Sequence, residues 1–188
     1  MRVYVIRHGE SATNLANRWT GWLDVHLTKK GEKDAMRAGE IIRGVKFDHI
    51  FSSDLIRAQE TAKGAIPGCE PELSPLLREV NVGNIAGEPI DVITPEERDA
   101  CRKYGYTKYG GEAKEEFLGR INEFKARLEA LDCENVAVFS HAGWLRAMLD
   151  LVVGITLPRN GILCKNGTVG IFEYSNGAWR LHSWINPT

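Results

Sequence analysis

A basic excess, long apolar runs and paired cysteines are all missing from this sequence, and each absence argues against a class of function. Lysine and arginine total 24 against 25 aspartates and glutamates, for a net charge of −1. A general nucleic-acid binder carries a surplus of positive charge, so no nucleic-acid partner is expected, although a small and intensely positive pocket is still allowed. No apolar stretch approaches the roughly 18 residues needed to cross a bilayer; the longest, Trp144 to Val153, is broken by Arg146 and Asp150. Val3 to Ile6 is far too short for the core of a secretory leader, so neither export nor a membrane partner is expected. The cysteines at 69, 101, 133 and 164 are about 30 residues apart, with no CxxC pair. A chain of 188 residues, 43% of them hydrophobic, can build its core without disulfides. Reduced thiols and a cytoplasmic location are therefore expected.

What is present has a regular order. "RVYVI" (2–6), "FDHIF" (47–51) and "NVAVF" (135–139) read as buried strands. Helical spacing links Ala35, Ala38 or Gly39, and Ile42 within 29–42, and links Phe117, Ile121, Phe124, Leu128 and Leu131 within 114–131. "TPEE" at 94–97 offers Thr94 as N-cap, Pro95 at the first helical position and Glu97 to close a capping box, which predicts a short helix to Lys103. After residue 167 the period changes to that of strands, and Asn176-Gly177 between two such runs signals a hairpin. Strands alternating with helices predict an α/β fold of three layers: a mainly parallel sheet with helices on both faces, closed by a C-terminal antiparallel hairpin. No repeat or linker divides the chain, so residues 1–188 are expected to form one domain. An exposed edge on the terminal hairpin would permit a homodimer.

Each expected strand runs into a polar cluster: "RHGES", "SSDLIRAQET" and "SHAGWLR". In open parallel sheets, ligands bind beyond the carboxyl ends of the strands. Parallel strands would therefore deliver Arg7, His8, Arg57 and His141 to one edge. Ser11 and Ser53 read as N-caps of the helices that follow, with Arg57 one turn inside its helix and the third helix starting at Gly143. Helix starts offer free N–H groups and partial positive charge to anions. Taken singly, each residue has an ordinary explanation as a solvated cation, a cap or a structural hydrogen-bonding group. Together, two histidines, two arginines and several helix starts describe a site for a compact dianion such as phosphate.

These motifs carry a resemblance. "RHGES", "SSDLIRAQETA", "LLRE" and "SHAG", in that order and with "NRWTGWLDVHLTKKG" (17–31) between the first two, resemble the histidine phosphatase superfamily, the family of cofactor-dependent phosphoglycerate mutase and its phosphatase relatives. The resemblance runs nearly end to end. It implies that His8 is the nucleophile that becomes phosphorylated, that Arg7, Arg57 and His141 hold the phosphoryl oxygens with Asn14 beside them, and that Glu79 is the general acid–base. It also implies that Thr20 and Gly21 touch the rest of the substrate, a small phosphorylated metabolite, and that no metal and no cofactor are needed. Two departures stand out. Ala142 separates His141 from Gly143 where the family has glycine, and Ala113 in "GGEA" replaces the serine of the usual "GES".

The residue types suit that chemistry. Neutral imidazole is a competent nucleophile, and neighbouring arginines disfavour its protonation. A backbone carbonyl accepting from Nδ1 would leave Nε2 to attack. Cationic groups around the phosphoryl oxygens can stabilise the transition state in place of a metal ion, a role in which a protonated His141 would serve best. A carboxyl beside a bound dianion can hold its proton for the leaving oxygen. Glu10 is the rival to Glu79 in sequence, but its place in the strand-to-helix turn suits anchoring an arginine. Only about 30 residues separate Glu79 from "GGEA", whereas glycolytic mutases of the family insert a long basic segment there. That favours a metal-independent phosphomonoesterase, with mutase as the alternative and a non-catalytic phosphate-binding module or a metal-dependent phosphoesterase behind it. The tyrosines at 104, 106 and 109 suggest either a lid over the substrate or a half-packed surface loop.

Overall fold

The apolar alternation of the opening residues becomes the strand β1, Arg2–Arg7. Val3 and Val5 point to one face of a sheet and Tyr4 and Ile6 to the other, and all four are buried. The computed structural model describes residues 1–157 and 161–188. Along them follow α1 (Ala12–Leu15), α2 (Lys29–Ile41), β2 (His49–Ser52), α3 (Ile56–Ala65), β3 (Glu72–Leu73), α4 (Pro95–Tyr104), α5 (Lys114–Glu129), β4 (Asn135–Ser140), α6 (Ala142–Val153), β5 (Val169–Ser175) and β6 (Ala178–Ile185).

The sheet order is β3-β2-β4-β1-β5-β6. The first four strands are parallel, and β5 and β6 add the antiparallel hairpin. Its turn is made by Asn176 and Gly177, both at positive φ (51 and 74), the conformation that an Asn-Gly turn supplies at little cost. The central strands are apolar on both faces because both faces are covered. Phe117, Ile121, Phe124 and Leu128 of α5 and Trp144, Leu145 and Met148 of α6 pack on Val3, Val5, Val136 and Val138. Ala38 of α2 and Ala62 of α3 pack on Tyr4, Ile6, Ala137 and Phe139 on the opposite side. The three-layer α/β architecture expected from the sequence is the one observed.

Some boundaries differ from expectation. The helix after β2 begins at Ile56 with Leu55 as N-cap, so Ser53 is not its cap and Arg57 is the second helical residue. The Ser53 hydroxyl instead accepts from Leu55 N–H at 3.3 Å and faces His141. Helix α6 starts one residue before Gly143, with His141 as N-cap. Ser11 does cap α1, through a capping box with Asn14, although that helix is a single turn. Ala113 at the start of α5 has no side-chain acceptor to offer; Glu116 Oε2 accepts from its N–H at 2.8 Å.

A third apolar cluster lies outside the sheet. Trp19, Val82, Ile85, Ile93, Cys101 and Tyr106 gather the segment 80–111 over the carboxyl edge of the parallel strands. Tyr106 is buried edge-on against Trp19, with ring centroids 5.8 Å apart. Tyr109 is half-buried and its hydroxyl reaches Glu97, whereas Tyr104 is exposed. The tyrosine loop is therefore mostly packed, and of its three tyrosines only Tyr106 reaches the cavity beneath. Among the described residues no helix is long and apolar enough to cross a membrane.

Candidate active site

The parallel strands end on one edge, and their last residues meet there. β1 delivers Arg7 and His8, β4 delivers His141, and the turn after β2 delivers Arg57 on α3. β1 and β4 are parallel neighbours, and the chain leaves β1 toward β2 but leaves β4 toward β5 on the other side, so the switch point where a ligand crevice is expected lies between them. A cavity of about 300 Å³ opens there, lined among others by Arg7, His8, Asn14, Thr20, Gly21, Arg57 and Glu79.

His8 is buried, and its Nδ1 lies 2.7 Å from the carbonyl of Gly9. A carbonyl can only accept, so Nδ1 carries the proton and Nε2 presents its lone pair. Burial pushes the His8 pKa well below the ordinary value of 6.5, and the Arg57 and Arg7 charges push it further. His141 is packed beneath, its ring centroid 5.2 Å from that of His8, and does not itself line the cavity. Its Nε2 is 2.9 Å from Ser53 Oγ, and its Nδ1 is buried without a hydrogen-bond partner among the described residues. Burial again, then Arg57, His8, Arg7 and Arg120, depress its pKa. These effects favour the neutral ring; the protonated state expected from the sequence belongs to the phosphoryl-bound site.

Arg57 is fully buried, and burial lowers its pKa to about 10 against the opposing pull of Glu79 and Asp24. It donates to Leu23 O at 2.8 Å and Gly21 O at 2.9 Å, which ties the 20–24 segment across the site. Asp24 Oδ1 accepts from Ile56 N–H at 2.7 Å and closes the same strap. Gly21 adopts φ 51, and a Cβ there would come within 2.6 Å of Val82. Arg7 donates to the Cys164 carbonyl. The Glu79 carboxylate accepts from Gly143 N–H at 3.0 Å and Val80 N–H at 2.9 Å. Its neighbour Arg78 is engaged elsewhere, by both oxygens of Asp54. Among the described residues Glu10 anchors no arginine: it accepts from the Thr28 hydroxyl and pairs with Lys30. Thr20 meets Thr13 Oγ1 at 2.6 Å.

The sequence reading missed Asn166. Its side-chain amide donates to the His8 carbonyl and to Asn14 Oδ1, both at 3.1 Å, and so ties Asn14 to the backbone of His8. "NG" at 166–167 reads only as a turn; the contact exists because β5 returns beside β1.

The depressed histidines have a consequence for stability. Near neutral pH both rings are neutral in the folded and unfolded chain alike. As pH falls through the unfolded value of 6.5, the unfolded chain binds protons that the folded site refuses, so stability declines with acidification. Melting temperatures between pH 7.5 and 5 are expected to show this fall. Inorganic phosphate, which favours the protonated rings, should reduce it, and His141→Gln should flatten it in part.

Several known proteins are similar to this chain over nearly its whole length. A "Probable phosphoglycerate mutase GpmB" of Salmonella choleraesuis is 29% identical over all of this chain and 92% of its own. The solved structure of TTHB049 from Thermus thermophilus is 30% identical, with a TM-score of 0.78 over 99% of each chain. An Escherichia coli protein provisionally named an alpha-ribazole-5′-P phosphatase is 26% identical, with a TM-score of 0.79 over 97% of this chain and 94% of that one. The family model described as histidine phosphatase superfamily (branch 1) matches residues 3–187, and the chain belongs to that superfamily.

Proposed function

We propose that this chain is a metal-independent phosphomonoesterase that acts on a small phosphorylated metabolite through a phosphohistidine at His8. The observation that carries the reading is the buried, neutral His8, fixed through Nδ1 to Gly9 O and placed between two arginines at the head of the cavity. Nε2 attacks phosphorus, and the P–O bond to the leaving group breaks as the N–P bond forms. The electron pair goes to the departing oxygen, which takes a proton from Glu79. Water then attacks the phosphohistidine, Glu79 accepts its proton, the N–P bond breaks back to Nε2, and phosphate leaves. Arg7 and Arg57 stabilise the charge on the equatorial oxygens; His141, beneath His8, gains its proton as the anion arrives. The free thiols of all four cysteines are consistent with a cytoplasmic setting.

The second reading, a phosphoglycerate mutase, is favoured by charge. Beyond the phosphate end the cavity wall carries Arg18, Arg102, Lys114 and Arg146 against Asp150, in a chain whose net charge is −1. That wall suits a phosphomonoester with a second anionic group. We expect kcat/KM for 3-phosphoglycerate to exceed that for glycerol 3-phosphate by about tenfold or more, as a charged hydrogen bond would supply. The same assay, run with 2,3-bisphosphoglycerate present, tests the reaction type. Phosphate release faster than isomerisation supports the phosphatase; the reverse establishes the mutase; binding with neither points to a phosphate-binding module.

A further inference from the structure

We propose that Arg120 and Glu112, with Trp22, form a positioning clamp that sets the reach of Glu79 toward the leaving oxygen; this rests on the acid–base role proposed for Glu79 above. Glu79 lies on an extended stretch after a short turn at Pro75–Leu77, with no regular element to hold it. Arg120 stands on α5, whose neighbouring residues Phe117 and Ile121 are locked in the core. From there its guanidinium reaches across to that stretch. One terminal nitrogen donates to the carbonyls of Leu76 at 3.0 Å, Arg78 at 3.3 Å and Pro75 at 3.4 Å; the other donates to Glu79 O at 3.3 Å.

Glu112 orients that fork. Its carboxylate takes Arg120 Nε at 2.7 Å and the second terminal nitrogen at 3.0 Å, in a pair where the two side chains are only 17% and 9% exposed. The same carboxylate accepts from Asn81 N–H at 3.2 Å, and Glu112 N–H donates to Asn81 O at 2.9 Å. The chain is thus gripped on both sides of Glu79. Trp22 adds the third hold: its indole N–H donates to Glu79 O at 2.7 Å, and the guanidinium of Arg78 lies 4.8 Å from its ring centroid. Because Trp22 belongs to the strap that Arg57 fastens, the clamp places the acid–base group in register with the phosphate-holding arginine.

A planar five-donor fork cannot be replaced by an ammonium, so Arg120→Lys should keep the charge and lose the position. The test separates position from folding by varying the leaving group. 4-Nitrophenolate departs without a proton, whereas glycerol needs one. For Arg120→Lys and Glu112→Gln, kcat/KM for glycerol 3-phosphate should fall about tenfold, while kcat/KM for 4-nitrophenyl phosphate, which reports only the transfer to His8, should stay within about twofold. Trp22→Phe, which removes the hydrogen bond but keeps the ring, should move in the same direction. It provides the test if the Arg120 variant does not fold by circular dichroism. An equal loss on both substrates, or no loss on either, overturns the clamp. Selective loss in these variants, matched by Glu79→Gln, supports it. If the native protein releases phosphate from neither substrate, the phosphatase reading fails and takes this role with it.

Discussion

His8→Ala is expected to reduce phosphate release from an aryl phosphate to the buffer background, while the native protein keeps its turnover in excess EDTA. Neither half is trivial. The cavity offers no second imidazole that could take over, because His141 lies beneath His8 with one nitrogen on Ser53 and does not reach the cavity surface. The buried arginines that remain would still bind the phosphate end of the substrate, so the variant should lose kcat while continuing to bind the product. Rapid quenching of the native protein with labelled substrate should trap a phosphoenzyme that is stable to base and labile to acid, as an N–P bond is, and the variant should trap none. Residual turnover in His8→Ala would overturn the covalent route. Turnover that EDTA abolishes would revive a metal-dependent mechanism.

Gly143→Ala should cost about 10²-fold in kcat without lowering the melting temperature. Gly143 is the second residue of α6, in ordinary helical conformation, so its backbone needs no glycine, and alanine is the better helix former by up to about 1 kcal/mol. The space is what forbids it. A Cβ at this position would lie 2.1 Å from Glu79 Oε1 and 3.1 Å from its Cδ. The carboxylate would have to leave the helix end and surrender its bond from Gly143 N–H. A gain in stability bought with activity is the pattern seen where function requires a locally unfavourable residue. The double variant with Glu79→Gln should lose little more than either single one. Full activity in Gly143→Ala would show that Glu79 is not needed where it sits.

How far such a site can be read from sequence depends on which contacts are local. The strand ends were legible because β1, β2 and β4 are buried on both faces and parallel, so each apolar run had to stop where a polar cluster began. That placed Arg7, His8, Arg57 and His141 on one edge without knowledge of strand order. The roles of the supporting residues were not legible, because they depend on which loops lie side by side. Glu10 is consumed by Thr28 and Lys30 because the start of α2 crosses directly over it, so closely that Gly31 could carry no side chain. Ser53 looks like a helix cap and serves His141 instead, since the chain extends two residues further before α3 begins. Arg57 was read as a phosphate ligand alone, yet its terminal nitrogens also bind the carbonyls of Gly21 and Leu23, a contact between segments more than 30 residues apart. β3 was not foreseen, as its two exposed residues carry no period at all.

The place of β1 in the sheet also bears on how the molecule forms. It pairs on one side with β4 and on the other with β5, and the Met1 amino group reaches the carbonyl of Tyr174, 173 residues away. The strand that leads into His8, the proposed nucleophile, is therefore first in order and among the last to be enclosed. Closing loops of that length before their contacts repay the entropy makes for slow folding, and until β5 arrives one edge of an apolar strand stands open to other chains. Ribosome-bound chains that stop short of β5 should hold no phosphate analogue, and competence should appear abruptly once the hairpin has cleared the exit tunnel.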